Sequence, residues 1–187
     1  GMFYLQVTRG VAKRDHVFPQ ESVPSSLVIT AKRTDRAAGN ARAAKGISVI
    51  TVSENRWDRV DIKTVGLLPN VMARQKAKEQ GAAEAWFVDE RGYVKEGAAT
   101  NAWIITQDGT LVTRPAETGI LRGVTRTTLF DVVAKLGLKI EEREFTVVGA
   151  FADRRTTFGS LGNNYAIVPY TTFLRDLSFE SDMKYIF

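Results

Sequence analysis

Cysteine is absent from this chain of 187 residues, and histidine occurs only once. Without cysteine there is no disulfide, no thiolate nucleophile and no cysteine-ligated zinc. A single histidine also argues against a histidine-rich metal centre, so we predict no metal site. The chemistry of this protein must therefore come from lysine, arginine, carboxylates, hydroxyls and one imidazole.

Long apolar runs are missing as well. No stretch reaches the roughly 18 apolar residues that a membrane helix needs. The first residues, GMFYLQVTRG, lack the basic, apolar and small-residue regions of a secretory signal. We therefore expect a cytoplasmic protein that does not contact a membrane.

Basic residues exceed acidic ones, 26 against 21, and give a net charge of +5. Such an excess is compatible with nucleic-acid binding, but the basic residues are interleaved with acids and form no dense cluster beside aromatic residues. Small anionic ligands explain the same distribution. We predict small-molecule ligands and no nucleic-acid partner.

The order of short apolar runs and turn residues predicts an α+β fold with mostly antiparallel strands. Strands are expected at residues 3–10, 25–32, 47–54 and 141–146, whereas the small-residue segment 34–46 is interpreted as a connection. A helix should follow Pro69, place Met72, Ala73 and Ala77 along one side as a narrow apolar stripe that packs only lightly, and end at Gly81.

Two hairpins and a second helix are predicted after that. The hairpins turn at residues 89–92 and 107–109, and in the second an Asp-Gly pair supplies the positive φ of a tight turn. The segment RGVTRTTLFDVVAKLGLKI has the clearest helical period. We expect it to end at Gly137 and to share one apolar face among Leu129, Val132, Val133 and Leu136.

Three separated motifs suggest where the chemistry lies. Lys63, in RVDIKTVGLLPN, is predicted to stand at a strand end; most surface lysines are only solvated charges, but a lysine that meets a carbonyl group in a pocket can act covalently. Downstream, Glu96 precedes a Gly-Ala-Ala-Thr-Asn turn. Further on, Gly123, Val124 and Thr125 present N–H groups and a hydroxyl at a helix start, where an anion can bind. A lysine, a carboxylate and a phosphate cradle are what a pyridoxal phosphate site requires.

The motifs DIKTVGLLPNVMARQKAKEQGAAEAWFVDERGYVKEGAATNAWII and GILRGVTR closely resemble the fold-type IV pyridoxal-phosphate enzymes. That group holds D-amino acid aminotransferase, branched-chain aminotransferase and aminodeoxychorismate lyase. The resemblance runs from about residue 4 to about residue 146. It implies that Lys63 forms the Schiff base with pyridoxal phosphate, that Glu96 faces the pyridine nitrogen, and that Leu121 lies behind the ring.

The resemblance also indicates which residues bind the phosphate of the cofactor. Val124 and Thr125, which follow Gly123, match positions that bind phosphate through backbone amides, with the Thr125 hydroxyl added. A later turn, in GSLGNNYAIVPY, matches a segment that touches the phosphate in the family, and there it offers Asn163.

The segment VTRGVAKRDHVFP bears on the substrate. It resembles the part of D-amino acid aminotransferases that places an arginine and a histidine over the substrate carboxylate, here Arg14 and His16. In that family the loop reaches the partner subunit's site, so a homodimer is implied. The resemblance favours transamination between a D-amino acid such as D-alanine and a 2-oxo acid. The alternatives within the fold are branched-chain aminotransferase or aminodeoxychorismate lyase activity, and Arg14 and His16 could also be plain exposed loop residues.

We expect a pyridoxal-phosphate-binding large domain at residues 3–170, a pseudo-barrel that begins with an interdomain-type strand at 3–10, and a divergent tail at 171–187. Family members carry a small N-terminal domain ahead of FYLQVTRG, and nothing in this sequence matches it. We therefore expect a truncated version of the fold. The second functional alternative is a non-catalytic remnant that binds pyridoxal phosphate or phosphate.

Overall fold

The computed structural model describes residues 1–117, 119–147, 165–167 and 183–186, the last two ranges as backbone only. Two compact units are present, Gly1–Ala41 and Arg42–Phe187. The predicted boundary at residue 170 falls outside the described residues, so the domain limits stay a prediction.

The first unit is a two-stranded antiparallel ribbon. Strand β1 (Met2–Thr8) pairs with β2 (Ser26–Lys32), with Met2 opposite Lys32 and Thr8 opposite Ser26. Both strands lie where they were predicted. A two-stranded ribbon has no core of its own, and the apolar side chains of both strands remain exposed. Residues 9–25 connect the strands.

The small-residue segment that was predicted as a connection forms helix α1 (Arg36–Lys45), so that prediction was wrong. Alanine is the strongest helix former, and Asp35 accepts the Ala38 N–H at 3.1 Å as a helix cap. Gly46, with φ of 79°, follows the last turn. The helix begins in the first unit and ends in the second.

The described residues of the second unit form two four-stranded sheets and two further helices. Its elements in chain order are β3 (Ile47–Ser53), α2 (Leu68–Glu79), β4 (Glu84–Val88), β5 (Val94–Gly97), β6 (Trp103–Thr106), β7 (Leu111–Thr113), α3 (Val124–Lys135), β8 (Ile140–Glu142), β9 (Tyr165–Ile167) and β10 (Met183–Ile186). The strand orders are β5-β4-β3-β9 and β10-β6-β7-β8. Strand β8 replaces the front half of the longer strand predicted at 141–146.

Among the described strands, five pairings are antiparallel and two are parallel. The predicted α+β class with mostly antiparallel strands is therefore confirmed. The parallel pairs, β3 with β4 and β7 with β8, were not predicted. A parallel pair needs a crossover connection, and α2 supplies the first crossover while α3 supplies the second.

The core lies on both faces of the β5-β4-β3 sheet. Because successive side chains on a strand point to opposite faces, β4 divides its residues between two apolar clusters. One cluster continues into the second sheet, and its buried members are Val49, Trp86, Val94, Ala102, Ile104, Val112 and Phe145. The other is covered by α2, and its buried members are Ile50, Ala73, Ala77, Ala82, Ala85, Phe87 and Ala98.

Helix α2 confirms part of its prediction. Ala73 and Ala77 are buried, but Met72 is 60% exposed. Residues four apart share a helix face, whereas the neighbour of Ala73 is rotated by about 100°. The prediction that Met72 shares one side with Ala73 and Ala77 was therefore wrong for Met72. Gly81, with φ of 74°, lies just beyond the helix as predicted.

Helix α3 buries a different face from the one predicted. Val133 is buried, but Val132 and Leu136 are exposed, and the second buried side chain is Arg126. The guanidinium of Arg126 lies beside the rings of Phe130 and Trp103, so aromatic contacts favour the face that carries it. The apolar face predicted from sequence was therefore only partly right.

Both predicted hairpin turns are present. The Asp89 N–H donates to the Tyr93 carbonyl at 2.9 Å, and Gly92 has φ of 87°. In the second turn Gly109 has φ of 85°, the conformation that glycine adopts without strain. None of the helices in the described part of the chain is long and apolar enough to cross a membrane.

Candidate functional site

The Glu96 carboxylate is the centre of the candidate site. It lies on β5, and the residue is only 5% exposed. Its Oε1 accepts a hydrogen bond from Arg56 Nη1 at 2.6 Å. Its Oε2 accepts two, from the Leu121 N–H and from Asn101 Nδ2, each at 3.1 Å. Buried carboxylates are tolerated when their oxygens are bonded in this way.

Arg56 joins Glu96 to a second acid. Its Nε and Nη2 donate to the two oxygens of Glu54 at 2.9 and 2.6 Å, which is the bidentate geometry that suits a guanidinium and a carboxylate. The guanidinium also lies over the Phe87 ring, 4.3 Å from its centroid. Lys95 completes the charged group, with its Nζ 3.7 Å from Glu54 Oε2.

The two acids respond differently to this environment. Burial raises the pKa of Glu96 above its ordinary value, and the hydrogen bond from Arg56 does not fully offset it. Burial also acts on Glu54, but the hydrogen bonds from the Arg56 side chain and N–H prevail and lower the pKa of Glu54. Glu54 receives both arms of the guanidinium fork and Glu96 receives one bond, so this difference follows from the geometry.

Asn101 connects Glu96 to the start of α3. Its Nδ2 donates to the Leu121 carbonyl at 2.9 Å as well as to Glu96. Gly123, the residue before α3, lies so close that a Cβ there would be 2.4 Å from Asn101 Oδ1. The structure thus brings Glu96, Leu121 and Gly123 together around one amide.

The first turn of α3 is open. Gly123 is extended, with φ of −64° and ψ of 144°, and no side chain caps the helix there. Val124 and Thr125 are both exposed. The first N–H groups of a helix have no partner within it and carry partial positive charge. These two residues, with the Thr125 hydroxyl, could therefore receive an anion.

Lys63 does not stand at a strand end, so that prediction was wrong. Strand β3 ends at Ser53, and Lys63 is an exposed residue in the connection to α2. Within the described ranges Lys63 forms no ion pair. Asn70 of α2 donates to the Ala98 carbonyl at 2.8 Å, which ties the segment after Lys63 to the turn after Glu96.

Arg14, His16 and Asn163 are the three further site residues that were predicted. Arg14 and His16 are exposed and belong to the first unit, where the His16 N–H donates to Asp15 Oδ1 at 2.6 Å. Asn163 lies outside the described residues. The roles of all three stay predictions. No group of three acidic or histidine side chains is arranged to hold a metal in the described part of the chain.

Sequence reasoning missed Arg56, Glu54 and Asn101. Asn101 belongs to the motif that supplied Glu96, so its nearness was a usable signal. Arg56 precedes Glu96 by 40 residues, and no local pattern links them. The candidate groups are the exposed Lys63 amine, the buried Glu96 carboxylate and the open start of α3. Their chemistry matches a ligand that has a carbonyl group, a basic ring nitrogen and a phosphate.

Comparison with known proteins shows what this chain is similar to. A family model described as amino-transferase class IV matches residues 1–157. The D-alanine aminotransferase of Listeria innocua serovar 6a is 42% identical over 149 residues, which cover 79% of this chain and 50% of that protein. The D-alanine aminotransferase of Staphylococcus aureus strain MSSA476 is 38% identical over 148 residues, covering 79% and 51%. The chain spans about half the length of the curated relatives it matches.

Solved structures agree with this. A fold IV transaminase from Curtobacterium pusillum has a TM-score of 0.61 and 27% identity, covering 77% of this chain and 49% of that one. The branched-chain aminotransferase of the archaeon Thermoproteus uzoniensis, with norvaline, has a TM-score of 0.63 and 26% identity over 77% and 48%. A hypothetical aminotransferase from Mycobacterium tuberculosis in its PLP-bound form has a TM-score of 0.58 and 25% identity over 68% and 48%.

These likenesses confirm both the resemblance found in the sequence and the predicted fold class. The matched region contains Lys63, Glu96 and the start of α3. This chain belongs to the amino-transferase class IV family and has the fold of the fold-type IV transaminases.

Proposed function

We propose that this chain binds pyridoxal phosphate and catalyses transamination between a D-amino acid, such as D-alanine, and a 2-oxo acid. The observation that carries the proposal is the Glu96 carboxylate, buried and bonded on both oxygens beside the open start of α3. Since the chain spans about half the length of its relatives, the activity itself is part of the proposal.

The residues present fit this cofactor in their chemistry. Lys63 offers an exposed amine for its aldehyde, Glu96 a carboxylate for its ring nitrogen, and the α3 start open amides for its phosphate. Leu121 offers an apolar side chain to lie behind the pyridine ring. Pyridoxal phosphate, when bound, supplies a ring that withdraws the electrons released as the substrate loses its α-proton.

Each side chain then has a defined task. An ionised Glu96 holds a proton at the ring nitrogen, because a neighbouring negative charge favours the protonated form of a base. The Lys63 amine takes the proton from the substrate α-carbon as a general base. Val124, Thr125 and, in the later turn, Asn163 hold the phosphate through N–H and side-chain groups.

The D-amino acid is supported by the D-alanine aminotransferases at 42% and 38% identity. Arg14 adds a guanidinium suited to a carboxylate, with His16 beside it. A branched-chain substrate is the second candidate, because the Thermoproteus uzoniensis enzyme has a similar fold. The third is cofactor or phosphate binding without turnover.

A homodimer and a cytoplasmic location stay predictions. The homodimer is supported by the apolar side chains that β1 and β2 leave exposed, including Phe3, Val7 and Leu27, because contiguous exposed apolar residues are typical of interaction surfaces.

The test begins with covalent attachment. The chain is incubated with pyridoxal phosphate, reduced with borohydride, digested and analysed by mass spectrometry. We expect the cofactor mass on the peptide with Lys63, and no specific attachment in Lys63→Ala. The control is Lys76→Ala, an exposed lysine of α2, which should behave as wild type. Absence of attachment at Lys63 in the wild-type chain would refute the proposal.

Turnover and stereochemistry follow with the loaded chain. We expect D-alanine to release one pyruvate per loaded chain, with L-alanine releasing much less pyruvate and L-leucine much less of its own 2-oxo acid, 4-methyl-2-oxopentanoate. Faster conversion of L-leucine would favour the branched-chain alternative. Attachment at Lys63 without conversion of any donor would leave only the binding function.

A further inference from the structure

Among the described residues, Arg56 is the side chain that contacts both acids of the candidate site, the half-buried Glu54 and the buried Glu96. Its side chain is 6% exposed, and its three nitrogens are all engaged: Nε and Nη2 with Glu54, Nη1 with Glu96. Glu54 also accepts the Arg56 N–H at 2.9 Å. The guanidinium is therefore fixed from one side by Glu54, and its remaining arm points at Glu96.

Glu54, Glu96 and Arg56 have unequal numbers of positive and negative charges. Glu54 and Glu96 carry two negative charges and Arg56 one positive charge, so the three side chains together carry one negative charge. Lys95, 20% exposed, lies on the Glu54 side at 3.7 Å. The other groups that bond Glu96 are the neutral Asn101 amide and the Leu121 N–H. Arg56 is thus the only cation in direct contact with Glu96 among the described residues.

A buried carboxylate without a cation tends to take up a proton, since burial penalises its charged form. A protonated Glu96 could not hold a proton at a ring nitrogen. The Asn101 and Leu121 bonds orient Glu96, but they supply no full positive charge. Arg56 therefore supplies the positive charge that keeps Glu96 ionised.

We propose that Arg56 is a positioning residue: held by Glu54, its guanidinium keeps Glu96 ionised and fixed in the orientation in which it meets the ring nitrogen of bound pyridoxal phosphate. This inference rests on the proposed function for the ring nitrogen, but the ionisation of Glu96 is a property of the chain alone. The two can therefore fail separately.

The first experiment uses the chain without cofactor. Glutamate labelled with ¹³C at the carboxyl carbon reports each titration by NMR, and Glu96→Gln identifies the Glu96 signal. In Arg56→Gln we expect the Glu96 midpoint to rise by roughly 1 to 3 pH units, the effect of losing an opposite charge at contact distance. In Glu54→Gln it should fall or stay, because the like charge of Glu54 raises the pKa of Glu96.

A matched control separates this from general loss of structure. Arg114 is also largely buried and also contacts two acids, Asp89 and Glu144, but it does not touch Glu96. Arg114→Gln should leave the Glu96 midpoint unchanged. If Arg56→Gln does not fold, Arg56→Lys keeps the charge but lacks the fork, and we expect a smaller rise. An unchanged Glu96 midpoint in a folded Arg56 variant would overturn the proposal.

The second experiment adds pyridoxal phosphate. At pH values between the Glu96 midpoints of the two proteins, Glu96 is ionised in wild type and protonated in Arg56→Gln. The ratio of dissociation constants, variant over wild type, should therefore be larger in that interval than above it. A ratio that does not change with pH indicates a structural defect and contradicts the inference. If wild type binds no cofactor at all, the proposed function fails while the NMR result stands.

Discussion

The amide of Asn101 occupies the space that a side chain at Gly123 would need: a Cβ on Gly123 would lie 2.4 Å from Asn101 Oδ1. Asn101 cannot turn away without losing its hydrogen bonds to Glu96 and to the Leu121 carbonyl. The distance between the buried carboxylate and the start of α3 is therefore set by a contact that only glycine permits.

The first prediction concerns Gly123→Ala. The φ of Gly123 is −64°, which alanine adopts freely, so the effect is one of space and not of backbone strain. We expect the free energy of unfolding to fall by about 1 to 3 kcal/mol, as for overpacking in a filled site, measured by urea denaturation.

The control for this prediction is Gly39→Ala. Gly39 lies inside α1, and a Cβ there meets nothing within 4 Å. That change should raise stability by about 0.5 to 1 kcal/mol, since alanine favours helix over glycine. Adding Asn101→Ala to Gly123→Ala should relieve the clash and make the two changes less than additive. Full stability in Gly123→Ala alone would contradict the close contact.

Local features of this fold could be predicted because they depend on neighbouring residues. The turns at Gly92 and Gly109 need positive φ and have the residues that adopt it. The parallel pairing of β3 with β4 could not be predicted, because it depends on where α2 returns the chain. The exposed position of Lys63 has the same origin: the residues between Ser53 and α2 form turns and do not extend the strand.

The residues of the candidate site likewise divide into those that could be predicted from the sequence and those that could not. Glu96 and Gly123 were found because each lies in a short motif with its own chemistry. Their connection through Asn101, and the approach of Arg56, join segments that are 20 to 40 residues apart in the chain. Such contacts follow from packing of the sheets and leave no periodic pattern in the sequence.

The second prediction is a pH dependence of stability. The pKa of Glu96 is raised above its ordinary value of 4.5 by burial. Its stabilising contribution is therefore complete below about pH 4.5 and is lost as the pH rises through its folded pKa. Glu54 has a lowered pKa, so its contribution is present above about pH 4.5 and is lost as the pH falls.

We therefore expect the free energy of unfolding to decline on both sides of about pH 4.5, measured by urea denaturation from about pH 3 to about pH 8. Glu96→Gln should remove the decline at higher pH and keep the acid decline. Asp108, whose pKa is lowered to about 2 by two threonine hydroxyls, adds to the acid decline in both proteins. A variant that loses the acid decline instead would show that the Glu96 pKa is lowered.

The third prediction concerns Arg126, a buried guanidinium of α3. Its Nη2 donates to the Arg114 carbonyl at 3.1 Å and to Glu142, but its Nε is buried without a hydrogen-bond partner among the described residues. Glu142→Gln should lower stability by about 1 to 3 kcal/mol, because the buried charge loses its carboxylate. Arg126→Met should change it by less than about 1 kcal/mol, since it removes the charge and keeps the volume.

The comparison for this prediction is the exposed pair of Arg143 and Glu141, whose Nε and Oε2 are 3.1 Å apart. Glu141→Gln should alter stability by less than about 0.5 kcal/mol, as exposed pairs contribute little. Equal effects at Glu141 and Glu142 would mean that burial of Arg126 does not matter.

The last prediction tests the proposed contact between Arg14 and the substrate carboxylate. Arg14→Gln should lower kcat/KM for D-alanine by roughly 10 to 100-fold, because a charge-assisted hydrogen bond contributes about 1.5 to 3 kcal/mol and each 1.4 kcal/mol is tenfold. The loss should appear mainly in KM, while cofactor attachment to Lys63 is unchanged. Lys13→Gln removes a neighbouring exposed charge and should have little effect. Equal losses in both variants would mean that the loop attracts anions through its total charge and that Arg14 has no specific contact with the carboxylate.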